Sequence, residues 1–316
     1  MKVICGKDEN YNSLIKNSGV GLGNFDGLHI GHMALISTLI SECKLNGWDS
    51  IVYTFTKHPE NILRKKLFTP LITNIEKKTE LLSVTTLNYL FYDEFDESYS
   101  RMKPERFVKD VLVDRLKIKL AIAGFDYAFG FRGQGNTDLL KELGKVYGFK
   151  VIIIPPIKIQ DEVVSSTLIR NSIIKGNMHK AFELLGRLYS IVGEVKNGRK
   201  IGSKLGFPTA NICPEEYLLL PSNGVYVTHT LYDGKLYNSI TNIGVNPTIK
   251  ELQGVCIETH IFDFDEDIYG KNIEVFFIYK IRSERKFKDK NDLIEQIAKD
   301  ISRSREFFSV DGCCNN

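Results

Sequence analysis

The stretch Gly19-Val-Gly-Leu-Gly-Asn-Phe-Asp-Gly-Leu-His-Ile-Gly-His32 runs from a short apolar segment through a glycine-spaced turn into a helical pattern. There Met33, Ile36, Leu39, Ile40 and Cys43 share one face and Gly47 is the stop. Strand, turn and helix in that order open a parallel sheet, because the helix packs back on its strand through a right-handed crossover. Four more apolar runs, at 50–55, 88–92, 119–123 and 151–154, alternate with helical patterns, one of which opens at Pro104 and puts Phe107, Val108, Val111 and Leu112 together. Five strands separated by helices predict a doubly wound α/β domain. Helical patterns at 167–175 and 179–185 follow, each ended by a glycine, and from about Gly186 the texture changes. Stretches rich in Val, Ile, Tyr and Thr at 189–195, 224–232, 237–243, 255–262 and 273–281 predict an antiparallel barrel or sandwich. A last helical pattern at 291–308 carries Leu293, Ile294, Ile297, Ala298 and Ile301. The expected division is an α/β domain over 1–185, an all-β domain with a C-terminal helix over 186–310, and a disordered tail over 311–316.

Composition agrees with two soluble globular domains. The chain has 316 residues, 43% of them hydrophobic and 26% charged, and 42 Lys and Arg against 39 Asp and Glu leave a net charge of +3. Charge this balanced, with no basic run longer than Arg64-Lys65-Lys66, excludes a nucleic-acid partner and reads that triplet as a solvated loop. The six cysteines form no C-x-x-C pair, so neither a disulfide framework nor a zinc ribbon is expected, and the simplest compartment is the reducing cytoplasm. No apolar run approaches the ~20 residues of a membrane helix, and the N-terminus turns polar too early for an export signal, so no membrane partner is expected. A monomer or weak homo-oligomer is the expected state.

Open α/β sheets bind ligands where strand ends meet helix starts, and the amides there favour phosphate. The 23–32 stretch is not the dinucleotide fingerprint, because the third glycine of G-x-G-x-x-G falls on Asp26, and no Gly-Lys pair is followed by the Ser or Thr of a P-loop. What remains is His29-Ile-Gly-His32, two imidazoles three residues apart at a helix start, with Gly31 admitting a nucleotide closely. Surface or capping histidines fit those four residues equally well, and a metal pair would need a third ligand that nothing suggests. A second signal, Ser165-Ser-Thr-Leu-Ile-Arg170, follows the fifth run and opens a helix. Hydroxyls and amides with an Arg one turn on make a phosphate clamp, although Ser-Ser-Thr alone is only a capping sequence.

GLGNFDGLHIGH resembles the signature of the adenylyltransferase module of prokaryotic bifunctional riboflavin kinase/FAD synthetases. SSTLIR is similar to that module's distal nucleotide motif, and Gly124-Phe-Asp-Tyr-Ala-Phe-Gly130 to its flavin and nucleotide loop. The resemblance implies a nucleotidyltransferase domain in which Gly23, Asn24, Phe25, Asp26 and Gly31 form the nucleotide loop and His29 and His32 stabilise the ATP phosphates together with Arg170. It also places Asp126 in the substrate cleft and lets Ser165, Ser166 and Thr167 complete the nucleotide site. One departure stands out: Thr54-Phe-Thr-Lys-His-Pro59 replaces the family's T-F-D-P-H-P, so Thr56 stands for an acid and Lys57 for a proline.

In the second half, Gly202-Ser-Lys-Leu-Gly-Phe-Pro-Thr-Ala-Asn211 sets a hydroxyl and an amide two residues apart after a Gly-rich turn. On an extended segment Thr209 and Asn211 point to one side as oxygen donors suited to magnesium and phosphate, though a Ser/Thr or Asx turn explains the stretch as well. Alternation in Val255-Cys-Ile-Glu-Thr-His-Ile-Phe262 puts Glu258 with Cys256 and His260, away from Ile257, Thr259 and Ile261. A lone Glu in a strand is most often solvated. The order of Leu185-Gly-Arg187, GFPTAN, Thr241-Asn-Ile-Gly-Val-Asn-Pro-Thr248, Ile257-Glu-Thr-His260 and Ile281-Arg-Ser-Glu-Arg-Lys-Phe287 resembles the riboflavin kinase module of the same family, with Ser203 where many members carry Arg. That resemblance implies a kinase β-barrel in which Gly206 and Pro208 shape the loop and Thr209 and Asn211 hold Mg2+ and the ATP phosphates. Glu258 is then the base for the riboflavin 5′-hydroxyl, and Arg282 contacts flavin or phosphate. The implied activity is phosphorylation of riboflavin to FMN and adenylylation of FMN to FAD, with ATP as co-substrate of both. A kinase with a silent first domain and a non-catalytic flavin-binding regulator are the alternatives.

Overall fold

The computed structural model describes residues 1–6, 15–56, 61, 69–197, 202, 206–214, 217–245 and 255–311. Contacts divide the chain into two units, Met1–Ser166 and Thr167–Asn316.

In the first unit, strand β2 (Ser18–Leu22) is buried at every position, which only the middle of a sheet covered on both faces allows. It lies in a six-stranded sheet of order β1-β4-β3-β2-β5-β6, with β1 Lys2–Cys5, β3 Asp49–Phe55, β4 Tyr89–Asp93, β5 Ile118–Gly124 and β6 Lys150–Ile154. All of its pairings are parallel. The five runs read from the sequence are β2 to β6. The sixth strand, β1, sits at the edge and buries only Ile4, and its apolar run of three, Val3, Ile4 and Cys5, is too short to declare a strand.

Alternation along β3 shows the two covered faces. Ile51 and Tyr53 pack with Phe91, Phe107 and Leu112, while Val52 between them packs with Leu35, Leu39, Leu90 and Ile122. Helix α1 (Ile30–Asn46) supplies Leu35, Ile36, Leu39 and Cys43 and ends at Gly47, whose φ of 67° suits a left-handed cap. The helix lies so close to β2 that a Cβ on Gly19 would sit 2.4 Å from Cys43 Sγ. Helix α2 (Ile75–Ser83) is capped by Asn74 and buries Leu82 and, unexpectedly, Lys78. After the single turn α3 (Glu97–Ser100), α4 (Pro104–Arg106) opens at Pro104 as expected and widens into a π-helical stretch, Phe107–Arg115. That stretch ends with the Leu116 amide donating to Val111 five residues back, and Phe107, Val108, Val111 and Leu112 are all buried. Helix α5 (Thr137–Tyr147) and a small ribbon of β7 (Lys158–Ile159) with β8 (Glu162–Val163) complete the elements.

Helix α6 (Ser166–Ile174) leads into the second unit, followed by α7 (Met178–Leu185), which ends at a left-handed Gly186. The all-β region is a closed barrel of order β10-β13-β12-β11-β14-β9, with β9 Tyr189–Lys196, β10 Ala210–Cys213, β11 Gly224–Tyr232, β12 Lys235–Val245, β13 Val255–Ile261 and β14 Asn272–Arg282. Closure removes the edges that a sandwich leaves open. The strand absent from the sequence reading is β10, four residues that begin inside the Pro-Thr-Ala-Asn motif and run on to Cys213. Inside the barrel, Thr230 Oγ1 donates to Ser239 Oγ at 2.8 Å, Ser239 to the Thr228 carbonyl at 3.0 Å, and Thr228, Thr241 and Thr259 hydroxyls continue the chain at 2.8 and 2.9 Å. All five side chains have zero exposure.

Helix α8 (Lys290–Asp311) closes the unit, so Asp311 belongs to the helix, while 312–316, with Cys313 and Cys314, lie outside the described residues. Arg282 at the end of β14 grips this helix through Asp300 at 2.8 Å. No helix among the described residues is long and apolar enough to cross a membrane.

Candidate active sites

The first site is built where β2 runs out at the carboxyl end of the sheet. Gly23 to Leu28 turn the chain into α1 through left-handed conformations at Phe25 (φ 49°), Gly27 (φ 85°) and Leu28 (φ 41°). Two of those residues are not glycine, so the turn is strained and must be held from outside. Three tethers hold it. The buried Asp26 carboxylate accepts from the amides of Ile72 at 3.0 Å and Thr73 at 3.2 Å. The Asn24 carbonyl accepts from Thr54 Oγ1 at 3.0 Å and Lys78 Nζ at 2.9 Å. Ser166 Oγ donates to the Asp26 carbonyl at 2.9 Å, which joins the first motif to the second. Asp26 and Asn24 are thus structural members of the loop, their oxygens occupied by protein donors.

His29 is the N-cap of α1, and its Nδ1 accepts from the His32 amide at 3.2 Å. An accepting Nδ1 carries no proton, so the neutral ring holds its proton on Nε2. The two imidazoles stack with centroids 3.6 Å apart, and Phe25 meets His32 edge-on at 5.2 Å. Gly31 leaves room for this stack, since a Cβ there would lie 3.2 Å from the His29 ring and press it by a few tenths of an ångström. Thr56 follows β3 with its amide on the Asp93 carbonyl at 3.1 Å. Lys57, His58 and Pro59 lie outside the described residues.

Asp126 is exposed in the loop after β5, beside Tyr127 and Phe129, which stack at 5.6 Å. The carboxyl ends of β3 and β4 add rings the sequence did not single out: Phe55 lies 5.1 Å from Phe95 and 5.4 Å from Tyr99. Tyr99 shares a 2.6 Å hydroxyl contact with Tyr53, and Tyr53 donates to Asp93, which Arg115 also holds at 2.7 Å. The visible signal was only the clustering of aromatics after strand ends. Thr167 is exposed and Arg170 half-buried on α6, and both belong to the second unit.

The second site is a strand pair. Asn211 on β10 stands opposite Glu258 on β13, and the alternation expected for 255–262 holds: Ile257, Thr259 and Ile261 are buried, while Cys256, Glu258 and His260 are half-buried on the other face. The Cys256 thiol lies 3.4 Å from Asn211 Oδ1 and 3.8 Å from Glu258 Oε1. His260 Nδ1 meets the Pro208 carbonyl at 2.7 Å, which fixes the chain just before Thr209. Burial pushes the Glu258 carboxyl above its ordinary range against the opposing effect of the Cys256 thiol, and pushes that thiol up to about 12. A carboxylate so raised is a stronger base than one in water.

Gly202 allows the loop its close approach, since a Cβ there would lie 2.4 Å from the Phe207 carbonyl and 3.0 Å from Thr209 Oγ1. Gly206 is exposed with a φ of 88°. Thr209 and Asn211 offer hard oxygens beside a carboxylate, a donor set that suits Mg2+ with water completing the shell. Ser203 and Lys204 lie outside the described residues. Arg282, expected near flavin or phosphate, directs two nitrogens at Asp300 and the third at the Ser283 carbonyl at 3.1 Å.

A family model described as FAD synthetase matches residues 12–168, and one described as riboflavin kinase matches residues 185–308. The bifunctional riboflavin kinase/FMN adenylyltransferase of Buchnera aphidicola subsp. Schizaphis graminum is 38% identical over 98% of this chain and 100% of its own length. The proteins of the same name from Listeria monocytogenes and Escherichia coli K12 are 36% and 32% identical, covering 93% and 92% of each chain. A solved structure described as a macrolide-efflux protein from Streptococcus pneumoniae superimposes with a TM-score of 0.87 at 28% identity, covering 96% of this chain and 99% of that one. With both modules matched in order and relatives aligned end to end, the chain belongs to the family of bifunctional riboflavin kinase/FMN adenylyltransferases.

Proposed function

We propose that the chain makes FAD in two ATP-dependent steps, phosphorylating riboflavin on the barrel and adenylylating the resulting FMN on the parallel-sheet domain, with the modules dividing at 185/186. The observation that supports this reading is that each module's motif gathers its polar groups in one place: the stacked His29–His32 pair at the start of α1, and Asn211 facing Glu258 across two strands.

In the kinase step, Glu258 takes the proton of the riboflavin 5′-hydroxyl as that oxygen attacks the γ-phosphorus of ATP, and the bond to the bridging oxygen breaks to release ADP. Thr209 and Asn211 would hold Mg2+, which when bound neutralises phosphate charge. His260 keeps Pro208, and so Thr209, in place. In the second step the FMN phosphate is already a nucleophile, so the protein has only to orient it and stabilise charge. A phosphate oxygen of FMN attacks the α-phosphorus of ATP and pyrophosphate leaves. The α1 amides, His29, His32 and Arg170 stabilise that charge, Ser165, Ser166 and Thr167 hold the nucleotide, and Asp126 lies by the flavin. Among the described residues Cys43, Cys213 and Cys256 carry free thiols, which fits a cytoplasmic enzyme.

The test is chromatographic separation of flavins after incubating the protein with ATP and magnesium and either riboflavin or FMN. FAD from both substrates supports the proposal. Thr56 and Lys57, where the family has an acid and a proline, favour a kinase-only second reading. It predicts FMN from riboflavin, no FAD in either reaction, and FAD synthesis gained in Thr56→Asp.

A further inference from the structure

Helix α2 carries two adjacent lysines with opposite fates. Lys77 pairs with Glu80 at 2.9 Å near the surface, whereas Lys78 is 7% exposed and, among the described residues, its hydrogen bond goes to the main-chain carbonyl of Asn24 at 2.9 Å. Thr54 already supplies that carbonyl with a neutral donor, so tethering alone does not call for a cation. The carboxylate that acts on Lys78 electrostatically, Asp26, is engaged by the amides of Ile72 and Thr73. Burial lowers the Lys78 ammonium to about 8, with Asp26 opposing. A buried charge without a bonded carboxylate lowers the stability of the resting protein, and its counterpart is an anion that arrives with a ligand. The anion delivered to this loop in the proposed reaction is the polyphosphate of ATP, whose charge grows on the departing pyrophosphate.

We propose that Lys78 is a positioning cation of the adenylyl-transfer site, fixing the Asn24 carbonyl from below and adding its charge to the pyrophosphate region at the start of α1. The inference rests on the reading of the first unit as the adenylyltransferase. Lys78 acts through the loop, with Thr54 as its neutral companion.

The experiment uses the full chain and its Lys78→Met, Lys78→Gln and Lys78→Arg variants. Inorganic pyrophosphate affinity is measured by titration calorimetry, KM for ATP and kcat for FAD formation from FMN, riboflavin phosphorylation in the same preparation, and Tm at pH 7. Lys78→Met is expected to weaken pyrophosphate and raise the ATP KM by about tenfold or more, the scale of one lost charge-assisted contact. Riboflavin phosphorylation should stay at the wild-type rate and Tm should hold or rise. Lys78→Arg should retain binding, and Lys78→Gln, which keeps a donor without the charge, should fall between. Unchanged pyrophosphate affinity and ATP KM in Lys78→Met would overturn the proposal. So would a lowered Tm with kcat reduced at constant KM, the signature of a structural brace. If the wild type makes no FAD, the reading of the first unit fails, and the pyrophosphate titration still decides the role of Lys78.

Discussion

Both halves of this chain handle ATP, yet they assemble their sites by opposite means. On the parallel sheet the candidate histidines lie within one short stretch, Gly23 to His32, bent through strained backbone and held by tethers from residues 30 to 140 positions away: Thr54, Ile72, Thr73, Lys78 and Ser166. In the barrel the groups are 47 positions apart and meet because main-chain pairing puts Asn211 opposite Glu258. A loop site depends on side chains that hold it, and a strand site depends on register.

The largest test of that contrast is Glu258→Gln. It should lower riboflavin phosphorylation by roughly 10²–10⁴, the scale of general-base catalysis, and leave FAD formation from FMN unchanged in the same tube. A parallel loss of both activities would break the separation of the two sites. Next, His29→Ala removes the proposed phosphate donor, the cap of α1 and one ring of the stack, and should lower FMN adenylylation by about 10² with the kinase intact, as single charge-stabilising donors do. His29→Asn, which keeps a capping oxygen, separates the cap from the donor.

Asp26→Ala probes the tethers. It strands two buried amides, at about 1–3 kcal/mol for such groups, and chemical denaturation should show the loss in the transition of the first unit alone. The smallest effect concerns pH. Lys78 has its ordinary pKa of 10.5 when unfolded and about 8 when folded, so between those values the unfolded chain binds the extra proton and wild-type stability gains with rising pH. Any Tm advantage of Lys78→Met at pH 7 should therefore shrink as pH rises through 8, on the order of 1 kcal/mol. A gap that widens would show the burial argument to be wrong.

What the sequence made legible follows the same divide. Interior strands β2 to β5 announce themselves because burial on both faces demands unbroken apolar runs, edge strand β6 because its own run at 151–154 is wholly aliphatic, and α1 because Leu35, Ile36, Leu39 and Cys43 meet a glycine-bare strand at Gly19. Edge strand β1 and the four-residue β10 stayed hidden, one half-exposed and the other too short for a period. His29, His32, Thr209, Asn211 and Glu258 were readable as motif positions, and the outward face of Glu258 followed from alternation. Asn211 facing Glu258 was not readable, since register is a property of two strands. Neither was Lys78, whose charge reads as surface until the fold closes over it, nor the pairing of Arg282 with Asp300.

The hydroxyl chain inside the barrel bears on how such a pairing survives the act of folding. Methyl groups tolerate many neighbours, whereas the hydroxyls of Thr228, Thr230, Ser239, Thr241 and Thr259 bond directionally to one another. A β13 that zipped one residue out of step would turn Glu258 inward and Thr259 outward, burying a carboxylate and taking the Thr259 hydroxyl from Thr241, with about 1–3 kcal/mol lost for a buried polar group so stranded. The interior thus works as a proofreading device: the wrong barrel is penalised several times over before riboflavin or ATP is ever bound.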